Sequence, residues 1–110
     1  MTLIVDASSL ILLAKVELLE AIANRNEIII SKIVYQEIIK GKEKGREDSF
    51  LIEKLVNASK IKIKIPNDEI KNKIQKTFNI KGGELETISL AYNTNSIVLS
   101  DDKKCISIAK

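Results

Sequence analysis

The chain has 110 residues, 45% hydrophobic and 30% charged, with 18 basic and 15 acidic side chains, one cysteine, and neither histidine nor tryptophan. That size supports one hydrophobic core, so residues 1–110 are read as a single domain. Without histidine, Ser-His-Asp and Cys-His catalysis and histidine-ligated zinc are excluded, and 2 Tyr with 2 Phe are too few for a base-stacking platform.

No apolar run approaches the roughly 20 residues that span a bilayer, and Asp6 and Lys15 interrupt the apolar start, which no basic segment precedes. Cys105 has no partner for an internal disulfide and reads as a packing residue in a reducing cytoplasm, the expected location. The stretch KGGE, Lys81–Glu84, is too short for a dinucleotide or Walker-type glycine loop.

Leu3–Val5 predicts a strand, and Leu10, Leu13, Ala14, Val16 and Leu18 follow at roughly helical spacing, with Ser8 or Ser9 as the cap between. EIIIS, Glu27–Ser31, is too apolar to have a wet face and predicts a central parallel strand. Ser31 caps a helix through Ile33, Val34, Glu37 and Ile38, which Gly41 is expected to end. GKEKGRED reads as a polar loop and SFLIEKLVNA as a helix.

KIKIKIP, Lys60–Pro66, alternates strictly, which predicts a strand near a sheet edge with one buried face. Asn67 caps the next helix, whose acids lie in its first turn and lysines later, as the helix dipole prefers. NIKGG is a break, ELETISLAYNT a helix, SIVLS a strand and DDKKCISIAK the start of a last helix. Strands alternating with helices predict an α/β domain with a mainly parallel sheet, whose sites lie beyond the carboxyl ends of its strands.

Asp6 follows one predicted strand and Asp101–Asp102 another, so carboxylates reach the same rim. For each, a helix cap and a metal ligand are both open. Glu37 flanks a buried stripe and is read either as a rim glutamate or as an acid that needs a partner. Glu84 and Glu86, two apart, face different ways on a helix, and Glu84, in line with Ile88 and Ala91, is expected inward. Glu86 is expected outward or in a supporting role, and Gly82 and Gly83 would let the backbone approach the site.

IVDASSL with Asp6, ISKIVYQEI with Glu37, KGGELETISLA with Glu84 and IVLSDDKK with Asp102 together resemble the PIN-domain nucleases. The resemblance is to a prokaryotic, predicted nucleic-acid-binding branch related to VapC-type toxins, in which a GE-x-E opening recurs; here it reads Gly83-Glu84-Leu85-Glu86. It implies a PIN-like, Rossmann-like three-layer α/β/α sandwich with a mainly parallel sheet. It also implies hydrolysis of single-stranded RNA with Mg²⁺ or Mn²⁺ held by Asp6, Glu37, Glu84 and Asp102. Ser8 would orient ligands or substrate, with Glu86 and Asp101 as second choices. The family usually carries a further C-terminal strand, here apparently missing after CISIAK, so a copy of the chain is one expected way to complete the sheet.

Clustered carboxylates repel by about 1 kcal/mol per pair at ~4 Å in water and about 4 kcal/mol at an effective dielectric near 20, so a divalent cation is expected among them. Oxygen donors favour Mg²⁺ or Mn²⁺ over zinc. A water activated by the ion is the expected nucleophile and a carboxylate the expected proton acceptor. Setting the four acids aside leaves the chain at about +7, which would steer RNA through Lys15, Lys40, Lys42, Lys44, Lys103 and Lys104. The expected partners are RNA, an antitoxin protein and a second copy in a homodimer; the alternative is an inactive nucleic-acid- or partner-binding module.

Overall fold

A computed structural model describes residues 1–43, 47–92, 94 and 96–99. Four strands, β1 (Thr2–Val5), β2 (Glu27–Ser31), β3 (Ile61–Lys64) and β4 (Ser96–Leu99), form one all-parallel sheet in the order β3-β2-β1-β4. Between them run α1 (Ala7–Lys15), α2 (Leu19–Arg25), α3 (Lys32–Glu43), α4 (Glu47–Asn57), α5 (Asp68–Phe78) and α6 (Gly82–Ala91). The expected α/β/α sandwich is what these elements build.

Side chains alternate across a strand, so each face of the sheet has its own helical cover. Leu3, Val5, Ile28, Ile30 and Ile61 point to one face, where Leu10 and Ala14 of α1, Leu19 and Ala23 of α2, Val34 and Ile38 of α3 and Ile52 and Leu55 of α4 close over them. On the other face α6 lies across β1, β2 and β4, and α5 packs against α6 through Ile74, Ile80, Leu85 and Ile88. β1 and β2 are buried on both faces, which explains their unbroken apolar sequences.

Several boundaries differ from the sequence reading. Asp6, not Ser8 or Ser9, caps α1. The apolar positions through Leu18 do not form one helix: Glu17 adopts φ 61°, the chain turns, and Val16 and Leu18 are left half exposed before α2 begins. α3 runs through Gly41 to Glu43, so the polar loop is shorter than expected, and residues 44–46 lie outside the described ones. Of the three isoleucines in KIKIKIP only Ile61 is buried; Ile63 and Ile65 emerge from under the helices. Ser31 and Asn67 do cap α3 and α5, accepting from the amides of Val34 at 3.0 Å and Glu69 at 2.8 Å.

Candidate active site

β1 and β2 are adjacent and parallel, so the helices that follow them start at the same rim. Asp6 is the first residue past β1. Its backbone amide still donates to the Leu99 carbonyl at 3.1 Å, which extends the sheet and fixes where its side chain leaves the strand. Asp6 Oδ1 accepts from the Ser9 amide at 2.8 Å, so the cap is real. A carboxylate offers about four acceptor directions, and capping therefore does not exclude ligation.

Glu37 lies on α3, and Glu84 in the first turn of α6. Gly82 opens α6 at φ 69°, a backbone shape that side chains strain, and swings the helix start toward α3. Gly83 completes the approach: a Cβ there would lie 3.2 Å from Glu37 Oε1 and 3.4 Å from Val34 Cγ2. The missing side chain lets the amino end of α6 rest beside the Glu37 carboxylate without shifting it. Asp6, Ser8, Glu37 and Glu84 thus share a cleft of about 480 Å³ with Lys81, Gly82 and Gly83. Glu84 is half buried, with Oε1 enclosed, whereas Glu37 and Ser8 are exposed.

Glu84 and Glu86 do diverge, and Glu84 reaches the cleft as expected. The more deeply buried one is Glu86, which corrects the expectation of an outward side chain and leaves it the supporting role that was the other expectation. It is 4% exposed, and it accepts from Lys71 Nζ at 3.1 Å and from the Ile33 amide at 3.4 Å. The reason is that α6 is buried nearly all round, from Leu85 to Ser89, with the sheet below and α5 alongside. A row that looks mixed in sequence is therefore an interior row. Glu86 braces the helix that carries Glu84 and is not part of the cleft's lining.

Lys81 was not singled out by sequence, yet it lines the cleft beside three acids. Its position directly before Gly-Gly-Glu at a helix start was the available signal. Lys15 is exposed at the end of α1, Lys40 faces another groove on α3, and neither lines this cleft. Asp101, Asp102, Lys44, Lys103, Lys104 and Cys105 lie outside the described residues, as does the side chain of Lys42. At the opposite rim, Glu27 is held below the usual carboxylate range by its hydrogen bond and charge contact with Lys62, 2.7 Å away.

The donor chemistry fits a hard divalent cation: the acidic side chains of the cleft offer only carboxylate oxygens, and Gly83 keeps the space beside Glu37 clear. Among the described residues, no three acid or thiol side chains stand close enough together to hold an ion. Asp6, Glu37 and Glu84 border one cleft rather than forming a closed ligand shell.

A family model described as PIN domain matches residues 2–110. The chain belongs to the PIN-domain family. Members are usually nucleases and commonly use divalent metals, so nuclease-type chemistry is what the family suggests for this cleft. The crystal structure of PAE2754 from Pyrobaculum aerophilum is similar to this PIN domain with a TM-score of 0.70 and 17% identity, covering 100% of this chain and 89% of that one. At that identity the likeness concerns the fold. Among curated proteins no significant match is found. No helix among the described residues is long and apolar enough to cross a membrane.

Proposed function

We propose that this PIN domain is an endoribonuclease that needs Mg²⁺ or Mn²⁺ and cleaves single-stranded RNA, as the toxin of a toxin–antitoxin pair. One observation carries the reading: Asp6, Glu37 and Glu84, from three separated segments, border the same cleft at the carboxyl ends of β1 and β2. Family membership supports it.

In this reading Asp6, Glu37 and Glu84 hold the cation, joined by Asp102 from outside the described residues. The bound ion supplies charge neutralisation at phosphate and an acidified water. The chain's own residues do the rest. The Lys81 ammonium and the amide-rich start of α6 attract a phosphate to a cleft whose carboxylates would otherwise repel it. With no histidine in the chain, a carboxylate of the cleft accepts the proton from the attacking water. Ser8, exposed at the cleft's edge, is placed to donate a hydrogen bond to substrate.

The test is cleavage of a single-stranded RNA with Mg²⁺ or Mn²⁺, with EDTA, and with Asp6→Asn. Loss of cleavage in the last two conditions is the expected result; equal activity of Asp6→Asn and wild type would remove Asp6 from the mechanism. A second reading, a non-catalytic module that binds nucleic acid or a partner, draws support from Asp6 Oδ1 serving as a helix cap and from the open spacing of the described acids. RNA binding without metal-dependent turnover would favour it.

A further inference from the structure

Among the described residues β3 is paired on one side alone, to β2, and its other edge is at the margin of the sheet. Such an edge presents unpaired amides and carbonyls and accepts an added strand. Ile65, just past β3, is 69% exposed and Ile63 36%. Beside Ile63 lies a groove of about 570 Å³ lined by Lys32, Tyr35, Gln36, Ile39 and Lys40. Those α3 positions recur as i, i+3, i+4, i+7 and i+8, one continuous helix face, and not the face that carries Glu37 to the cleft. Lys62 and Lys64 project from the opposite side of β3, with Lys62 beside Glu27.

An added strand would therefore meet two different environments in alternation. Its residues on the Ile63 side would lie over an apolar groove with a lysine at each end. Those on the other side would pass the ammonium groups of Lys62 and Lys64. A second copy of β3 fits this badly. In a two-fold antiparallel pairing, residues opposite one another share a sheet face, so lysine must stand opposite lysine and isoleucine opposite isoleucine. Directly opposed like charges destabilise a strand pair.

We propose that the β3 edge and the α3 groove form a docking site for an extended segment of a partner protein in which acidic residues alternate with apolar ones. The segment adds to the sheet through its backbone, seats its apolar side chains over Tyr35, Ile39 and Ile63, and sets its carboxylates against Lys62 and Lys64. Alternation fixes the register, because a one-residue slip puts carboxylates over the groove. Lys32 and Lys40 at the groove ends strengthen attraction to an acidic segment.

The probe is a capped peptide of about eight residues, an ordinary strand length, alternating glutamate with valine. Titrated into the isotope-labelled full chain, it is expected to shift the amide signals of Ile61–Ile65 and the side-chain signals of Tyr35 and Ile39. Replacing its glutamates by lysine should abolish the shifts. Ile65→Glu, at an exposed position, should weaken binding by about tenfold or more, because it sets a carboxylate among the peptide's valines, while the unfolding midpoint holds. Absent shifts, or shifts elsewhere, would overturn the proposal. So would a wild-type dimer that Ile65→Glu dissociates, which would mean a second copy covers the edge. Tighter binding of an oligouridylate at the same signals would assign the lysines to RNA and equally refute it.

Discussion

Glu86 and Lys71 form an ion pair at 3.1 Å in which the glutamate side chain is 5% exposed and the lysine side chain 31%. With the Ile33 amide on the other carboxylate oxygen, the contact ties α5, α6 and the start of α3 into one unit. This unit carries Glu84 to the cleft that Glu37 also borders.

Removing the lysine strands a buried charge, whereas neutralising the glutamate does not. Lys71→Met is therefore expected to cost about 1–3 kcal/mol, below the fully buried range because the lysine is partly solvated. Glu86→Gln keeps an acceptor for Ile33 and is expected to cost less. Urea unfolding of both variants and of the double variant checks the order, and the double variant should be no worse than Lys71→Met alone.

Asp6 has a capping role that is demonstrable apart from any chemistry. Asparagine caps nearly as well as aspartate, so Asp6→Asn should leave stability within a few tenths of a kcal/mol, while Asp6→Ala should cost about 1 kcal/mol. If Asp6 also holds a cation, both variants lose Mn²⁺ affinity to a similar degree. Calorimetric Mn²⁺ titration alongside urea unfolding separates the two roles.

Gly83→Ala sets helix propensity against the cleft. Alanine inside a helix is favoured over glycine by about 0.8–1 kcal/mol, so stability should hold or rise. The new Cβ, however, would lie 3.2 Å from Glu37 Oε1, so that carboxylate must shift by a few tenths of an ångström. If the proposed cation site includes Glu37, Mn²⁺ affinity and metal-dependent cleavage are expected to fall modestly while the thermal midpoint does not.

Glu27 gives an acid-side pH dependence with a definite sign. Lys62 lowers its pKa in the folded chain, so the folded state favours the carboxylate. The resulting stabilisation is complete above the ordinary glutamate pKa and is lost as pH falls through the lowered folded value. Glu27→Gln should flatten that part of the curve of unfolding free energy against pH. Because the pair is exposed, added salt should flatten it as well.

The sheet was legible because β1 and β2 are apolar enough to demand burial and β4 is apolar in sequence. In addition, α3 and α5 carry clear start signals in Ser31 and Asn67; α2, with no side-chain cap, carries none. The rim was legible for the same reason: a carboxylate straight after a parallel strand has one end of the sheet to go to. That Glu86 is more deeply buried than Glu84 was not legible. It depends on α5 lying along α6, and helical periodicity carries no information about a neighbour contributed by Lys71. Ile63 and Ile65 show the converse limit. Their alternation has the period of a half-buried strand, but burial requires a covering helix, and the helical cover over Ile61 does not extend to them.

The strand order also sets an order of assembly. β1 precedes the other three strands in the chain yet lies between β2 and β4, with Thr2 matched to Ser96 and Val5 to Leu99. The β4 flank of β1 thus stays open until Ser96–Leu99 docks, a bare template for stray pairing. The cleft, whose Asp6 amide is anchored by Leu99, takes its final shape only at that step. The most distant pairing in sequence therefore completes the rim that carries Asp6, and aggregation competes with folding for as long as that pairing is unmade.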